Sequence, residues 1–413
     1  MADSQRILAR NSAFLISNLG FVNAAGFAFW IVTARVYSSE EVGLSAGVIA
    51  IAGFVATAAS LGLPRTLLRY FTEDTPENHR LVTGATIAVA STSLVIACTL
   101  MIVAGASGAR ILSLLGDPSL AMVFIAYCVS TSLVALQDSF LVSRRLGSIL
   151  FAKNAFFSIA RLPLTILFAG MDGSGPFLAV GVTNIASAAL IFVLCQGKHI
   201  DFRTPPIENL RTLRKSIRFS TGSYVSSVFE TLPGSLLPII AVETLSSSDS
   251  AYFYISWMIG GLLFSLPAVV YSPLVNEASR PQANWRHLIR TSAIIVIAAL
   301  GTGIFVLAMF SSDILSFMGE RYLEFGSPLL LMFALSAAPI AVNQLAVAVT
   351  QIAGSIKFTF LYWLTASGVF VSASIVLMES HGIRVTGLIW LVIQTAFALP
   401  SSIVVLREYR KRI

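Results

Sequence analysis

The chain is organised as long apolar runs separated by short charged or Gly/Pro/Ser-rich breaks. A bilayer core about 30 Å thick requires about 20 apolar residues in each spanning helix. Runs of about this length occur at 12–34, 42–64, 81–104, 119–143, 149–169, 176–195, 217–241, 251–274, 291–310, 327–349, 359–378 and 385–406. The pattern predicts an all-α polytopic membrane protein with twelve transmembrane helices.

Composition supports this class and excludes a water-soluble enzyme. Of the 413 residues, 56% are hydrophobic and 11% are charged, with a mean hydropathy of +0.83. A soluble domain carries about 25% charged residues. Twelve spans leave room for short loops and for no sizeable soluble domain.

Lysine and arginine are distributed unequally between alternate loops. Of the 27 cations, 22 fall on one side, four on the other and one, Arg161, inside a span. Because cytoplasmic loops carry the excess of Lys and Arg, both termini are predicted to be cytoplasmic. The net charge of +7 then reflects orientation and contact with anionic lipid headgroups, and no nucleic-acid partner is expected.

Short segments recur in the same order in the two halves of the chain. The matched pairs are 38–41 with 246–249, 111–117 (ILSLLGD) with 314–320 (ILSFMGE), Gln137 with Gln344, and 147–151 (GSILF) with 354–358 (GSIKF). Each half has an even number of spans, so the halves are parallel repeats about an axis along the membrane normal. The predicted units are an N-terminal lobe, 1–203, and a C-terminal lobe, 204–413, with a basic linker at 196–216.

Three segments carry a resemblance to a known family: 34–43 (ARVYSSEEVG), 61–70 (LGLPRTLLRY) and 314–320 (ILSFMGE). They resemble the Wzx-like polysaccharide flippases of the multidrug/oligosaccharidyl-lipid/polysaccharide exporter superfamily. This resemblance implies two six-helix lobes in a V around a central cavity, in the plasma membrane. It also implies a polyprenyl-diphosphate-linked glycan as substrate, and it leaves open whether other polysaccharide-assembly proteins are partners.

A flippase needs cations and hydrogen-bond donors inside the bundle to shield the diphosphate and the sugars. Arg161 is the clearest candidate, because it lies well inside span five, two residues before the helix-bending Pro163. A fixed ion pair or a snorkelling side chain is the alternative. Lys153 lies two turns nearer the cytoplasm, where snorkelling to the headgroups is equally compatible with the sequence.

Glu230 lies near the middle of span seven and shares one helical face with small and hydroxylated residues: Ser220, Ser223, Ser227 and Gly234. This stripe indicates a cavity lining or a tight helix contact. Glu230 could serve as a proton or sodium site for coupling, or as a counter-charge to Arg161.

Two further groups are candidate substrate ligands. In span one, Asn11 and Asn18 share a face and Asn23 lies about 140° away; these could bind sugar hydroxyls or join helices by hydrogen bonds. Arg65 and Arg69, four residues apart at the cytoplasmic end of span two, could capture the diphosphate. Cytoplasmic arginines at helix ends are also what the orientation rule alone predicts.

Two other functions compete with the flippase hypothesis. A multidrug or cation antiporter of the same superfamily could use Glu230 as its ion site, but Arg161 suits an anionic substrate better. A membrane glycosyltransferase could use Glu40 and Glu41 in an external loop, but Ser39 followed by acids is typical of a helix N-terminus.

No cofactor or metal is expected. All four histidines lie in loops and are never adjacent (His79, His199, His287 and His381). No nucleotide-binding glycine loop and no nucleophile motif stands out.

Overall fold

The computed structural model describes residues 2–70, 75–108, 110–171, 173–195, 206–278 and 284–411. Within these ranges the chain is almost entirely helical and contains no strand. The helices are α1 (Ala2–Val36), α2 (Ser39–Ala59), α3 (Leu63–Tyr70), α4 (Pro76–Ser107), α5 (Pro118–Ser143), α6 (Gly147–Leu167), α7 (Gly175–Cys195), α8 (Pro206–Thr244), α9 (Ser247–Ala278), α10 (Trp285–Ser316), α11 (Glu320–Ile352), α12 (Lys357–His381) and α13 (Val385–Lys411).

Twelve of the helices in the described ranges are long and apolar enough to cross a bilayer. Their apolar parts are Ala13–Val36, Ser39–Ala59, Pro76–Val103, Pro118–Ser143, Gly147–Leu167, Gly175–Cys195, Tyr224–Thr244, Ser247–Tyr271, His287–Ser316, Glu320–Ile352, Lys357–His381 and Val385–Arg410. Each predicted span corresponds to one of these helices. The prediction of an all-α, twelve-span membrane protein is therefore confirmed.

The second spanning helix of each half begins with a serine whose hydroxyl caps the N–H of an acidic residue three positions later. The Ser38 hydroxyl accepts a bond from the Glu41 N–H, and the Glu41 carboxylate accepts a bond of 2.8 Å from the Ser38 N–H. In the second half the Ser246 hydroxyl likewise accepts a bond from the Asp249 N–H. The acids at these positions thus cap helices, as expected, but the capping serine is Ser38 and not Ser39.

The fifth helix shows a related start. Asp117 is its N-cap and Pro118 its first residue, where the missing proline N–H costs nothing. The hydroxyl and the N–H of Ser119 both donate to the Asp117 carboxylate and hold its pKa below the usual range.

The second span ends earlier than the sequence predicts, because the chain turns after Ala59. Leu61 and Gly62 adopt left-handed conformations with φ of 50° and 73°, and the short helix α3 follows. Leu63 and Leu67 of α3 are fully buried in an apolar core that includes side chains of α4, α5, α6 and α7. The predicted arginine motif therefore lies on a separate docked helix and not on the end of span two.

The chain divides into two compact units, Met1–Thr231 and Leu232–Ile413. In the first unit α1 packs against α6, and α5 packs against α2, α3, α4 and α7. In the second unit α11 packs against α9, α10 and α13. The lobe boundary predicted between 203 and 204 lies outside the described residues and stays a prediction.

A repeated hydrogen bond relates the two halves. Gln137 Nε2 on α5 donates to the Ala188 carbonyl on α7 at 3.0 Å, and Asn343 Nδ2 on α11 donates to the Gln394 carbonyl on α13 at 3.1 Å. In both cases donor and acceptor are 51 residues apart. The structural counterpart of Gln137 is therefore Asn343 and not the neighbouring Gln344.

Candidate functional site

Arg161 is held in the first unit by neutral side chains. Its Nε donates to Thr183 Oγ1 at 3.1 Å and its Nη2 donates to Asn184 Oδ1 at 2.7 Å. Asn184 Nδ2 in turn donates to Thr131 Oγ1 at 3.1 Å. We call these four residues the arginine cluster; they join α6 to α7 and α7 to α5.

The charge of Arg161 is not balanced by a carboxylate in the described part of the chain. Its side chain is partly buried in the apolar part of α6, beside Tyr127. Neither alternative from the sequence, an ion pair or a snorkelling side chain, describes this arrangement. The guanidinium has five N–H donors, of which two are used here, so it keeps capacity to bind an anion.

A second group of polar residues lies nearer the start of α6. Lys153 Nζ forms an ion pair with Asp138 Oδ1 on α5, and the Lys153 side chain is 2% exposed. Asn154 Nδ2 donates to Asn18 Oδ1 on α1 at 3.0 Å and contacts Asp138 Oδ2 at 3.5 Å. We call Asn18, Asp138, Lys153 and Asn154 the inner polar cluster.

The two clusters share one helix. Asn154 and Arg161 are seven residues apart on α6, so they lie on nearly the same face, about 10 Å apart along the axis. One polar face of α6 thus presents a neutral ion-pair cluster followed by an unbalanced cation.

Glu230 is exposed within the apolar part of α8, and the charged group that acts on it is Arg65 on α3. The Tyr224 hydroxyl, also on α8, donates to the Ala58 carbonyl at the end of α2. The counter-charge that acts on Glu230 electrostatically is thus Arg65 and not Arg161, whose described partners are neutral. Arg65 is exposed; the side chain of Arg69 lies outside the described residues.

The other sequence candidates are separated from these clusters or incompletely described. Asn23 is exposed on α1 and joins neither cluster, and the side chains of Asn11, Ser220 and Ser223 lie outside the described residues. A Cβ on Gly234 would lie 2.6 Å from Trp257 Nε1. At Gly234, the last residue of the predicted stripe, the helices are therefore in tight contact.

Five members of the two clusters are not among the ligands predicted from the sequence: Thr131, Asp138, Asn154, Thr183 and Asn184. All five are polar residues inside apolar runs, the signal that identified Arg161. Their partnerships depend on which helices pack together, which no local pattern specifies.

The second unit has a polar network of its own, with Asn343 at its centre. Asn343 Nδ2 donates to Gln394 Oε1 at 2.9 Å, Tyr362 donates to the same oxygen at 2.7 Å, and Ser401 donates to Asn343 Oδ1 at 2.7 Å. All four side chains are almost fully buried. Because it is inaccessible and uncharged, this network ties α11, α12 and α13 together and is a poor ligand site.

No family model and no curated protein matches this chain. Its fold is similar to that of several solved MOP superfamily transporters. One is the lipid II flippase MurJ in an inward closed conformation. The alignment covers 96% of this chain and 90% of the MurJ chain, at 14% identity and a TM-score of 0.68.

Two further MOP superfamily structures are similar over nearly the whole chain. A transporter from Pyrococcus furiosus and an outward-facing multidrug resistance MATE family transporter each match 98% of this chain and 95% of their own, at 13% identity. Their TM-scores are 0.59 and 0.60. At these identities the likeness shows the fold alone.

Proposed function

We propose that the protein is a flippase that moves a polyprenyl-diphosphate-linked oligosaccharide from the cytoplasmic to the outer leaflet of the plasma membrane. The transport would proceed by alternating access and serve cell-surface polysaccharide biosynthesis, with no enzymatic step and no cofactor. The observation that carries this proposal is Arg161, a cation in a spanning helix whose described partners are Thr183 and Asn184.

An unbalanced cation in a membrane span favours an anionic ligand. A charge at the bilayer centre costs at least about 2.5 to 3.5 kcal/mol, and neutral hydrogen bonds offset the lost hydration without cancelling the charge. A diphosphate supplies the opposite charge, and its oxygens match the planar N–H groups of arginine. The same cation repels a cationic drug, which is why the antiporter is the weaker hypothesis.

Glu230 and Arg65 have a secondary role in this proposal. Arg65, which is exposed on α3, would meet the diphosphate first, and Glu230, on which the Arg65 charge acts, would balance that charge when substrate is absent. Whether a proton or sodium gradient drives transport is tested by Glu230→Gln. Full transport with unchanged ion dependence in that variant would show that Glu230 has a structural role.

The decisive experiment replaces the charge of Arg161. Cells producing Arg161→Gln should accumulate lipid-linked glycan on the cytoplasmic leaflet and export at least about tenfold less, because about 1.4 kcal/mol of lost binding already lowers affinity tenfold. Arg161→Lys should retain part of the export. Arg110→Gln, which removes an exposed arginine outside the spans, is the matched control.

Protein abundance and thermal stability in detergent show whether the Arg161 variants are folded. Normal export by a folded Arg161→Gln protein would contradict the proposal. Transport of an organic cation in place of the glycan lipid would favour the antiporter.

A further inference from the structure

The inner polar cluster is only partly satisfied within the protein. Asp138 Oδ1 is engaged by Lys153, but Asp138 Oδ2 receives only the 3.5 Å contact from Asn154, at the limit of hydrogen bonding. Among the described groups, Asn18 Nδ2 donates to none and Asn154 Oδ1 accepts from none. One donor and two acceptors therefore remain available.

The available atoms are accessible. The Asp138 side chain is 30% exposed, and Asn18 and Asn154 are half-buried, whereas the Lys153 side chain is almost fully buried. In a spanning region, unmet polar atoms of this kind are costly unless they face water or a polar ligand. A cluster with a purely structural role would instead resemble the inaccessible network around Asn343.

The chemistry of the cluster suits a neutral ligand rich in hydroxyl groups. The ion pair leaves no net charge, so the cluster favours neither an anion nor a cation. Each sugar hydroxyl both donates and accepts, and a carboxylate beside two amides offers acceptors and a donor in fixed positions.

The position of the cluster matches the order of groups in the proposed substrate. With the cytoplasmic termini that the loop charges predict, α6 begins on the cytoplasmic side, so the inner polar cluster lies nearer the cytoplasm than Arg161. A lipid-linked glycan in the cytoplasmic leaflet has its sugars in the cytoplasm, its diphosphate at the membrane surface and its tail in the bilayer. The separation of about 10 Å along α6 is of the size of one or two sugar rings.

We infer that the inner polar cluster is the glycan subsite: Asn18, Asp138 and Asn154 bind the sugars next to the diphosphate while Arg161 binds the diphosphate. Lys153 holds the Asp138 carboxylate in place and does not itself touch the sugar. This inference rests on the proposed function. It adds that the sugars and the diphosphate bind at two different positions along α6.

The test compares two lipids on the purified full-length protein in nanodiscs. One probe is a short-chain polyprenyl diphosphate, and the other is the same lipid carrying a neutral disaccharide. Wild-type protein should bind the glycosylated lipid about tenfold more tightly. Asn18→Ala and Asn154→Ala should remove most of this preference and leave the Kd for the bare diphosphate unchanged.

Ser139→Ala is the matched control, because among the described residues its hydroxyl on α5 bonds to its own helix, at the Ala135 carbonyl. This control should keep the preference. An equal loss of affinity for both lipids in the asparagine variants would show a structural role and overturn the inference, as would an unchanged preference. Failure of the wild-type protein to bind either lipid would overturn the proposed function as well, whereas binding of both lipids with equal affinity would overturn the glycan subsite alone.

Discussion

Arg161 Nη2 donates a hydrogen bond of 2.7 Å to Asn184 Oδ1, so a cation on α6 is held by a neutral amide on α7. The bond fixes the direction of the guanidinium without neutralising it. This distinction matters for an anion site, because a carboxylate in place of the amide would hold the arginine equally well and compete with the substrate.

The first prediction follows from that distinction. Asn184→Asp keeps the shape of the side chain but gives Arg161 a resident counter-ion, so glycan export should fall at least about tenfold while the protein stays folded. Asn184→Ala removes the bond without adding charge and should reduce export less. Export and thermal stability should be measured together. Equal export by the aspartate variant and the wild type would contradict an anion site at Arg161.

The second prediction concerns the ion pair of Lys153 with Asp138. Lys153→Met leaves a carboxylate unpaired in a spanning region, and breaking a buried pair costs about 3 to 5 kcal/mol. Because Asp138 is 30% exposed, we expect a cost of about 2 kcal/mol and a clear drop in Tm.

The double variant Lys153→Met with Asp138→Asn removes both charges and should recover most of that loss. A double-mutant cycle from thermal unfolding in detergent measures the coupling. Additive effects of the two substitutions would show that the pair contributes nothing to stability.

The third prediction compares the two repeated amides. The Asn343 side chain is fully buried and makes three hydrogen bonds, two to side chains and one to the Gln394 carbonyl, so Asn343→Leu strands several partners and should cost about 2 to 4 kcal/mol. Within the described ranges the Gln137 side chain makes one bond and its Oε1 has no partner, so Gln137→Leu should cost less than about 1 kcal/mol. Unfolding curves of the two variants provide the comparison, and equal costs would contradict it.

The fourth prediction tests the close approach at the start of α7. A Cβ on Gly175 would lie 1.9 Å from the Tyr37 hydroxyl oxygen and 2.6 Å from the Phe168 carbonyl oxygen. Gly175→Ala must therefore displace Tyr37, whose hydroxyl donates to the Thr165 carbonyl at 2.7 Å, at a cost of about 1 to 3 kcal/mol.

Gly170→Ala is the natural control, since no atom lies within 4 Å of a Cβ built there. Its Tm should stay close to that of the wild type. A Gly175→Ala protein as stable as this control would mean that Tyr37 moves aside freely.

The sequence predicts more of the fold than of the site. The twelve spans follow from apolar runs, because a bilayer imposes one length on every spanning helix. The end of span two was missed, because the turn at Leu61 and Gly62 lies inside a continuous apolar stretch. In the site, Arg161 and Lys153 could be recognised as charges in apolar runs, but their partners could not.

By itself, the sequence determined the number of spanning helices, the doubled arrangement of its segments and the few polar residues inside the spans. Hydrophobic length is a property of each segment alone, so it can be read locally. Only the tertiary structure decided that Arg161 is held by Thr183 and Asn184 and that Lys153 pairs with Asp138. Those pairings depend on which helix faces pack together, and packing is a joint property of residues far apart in the chain.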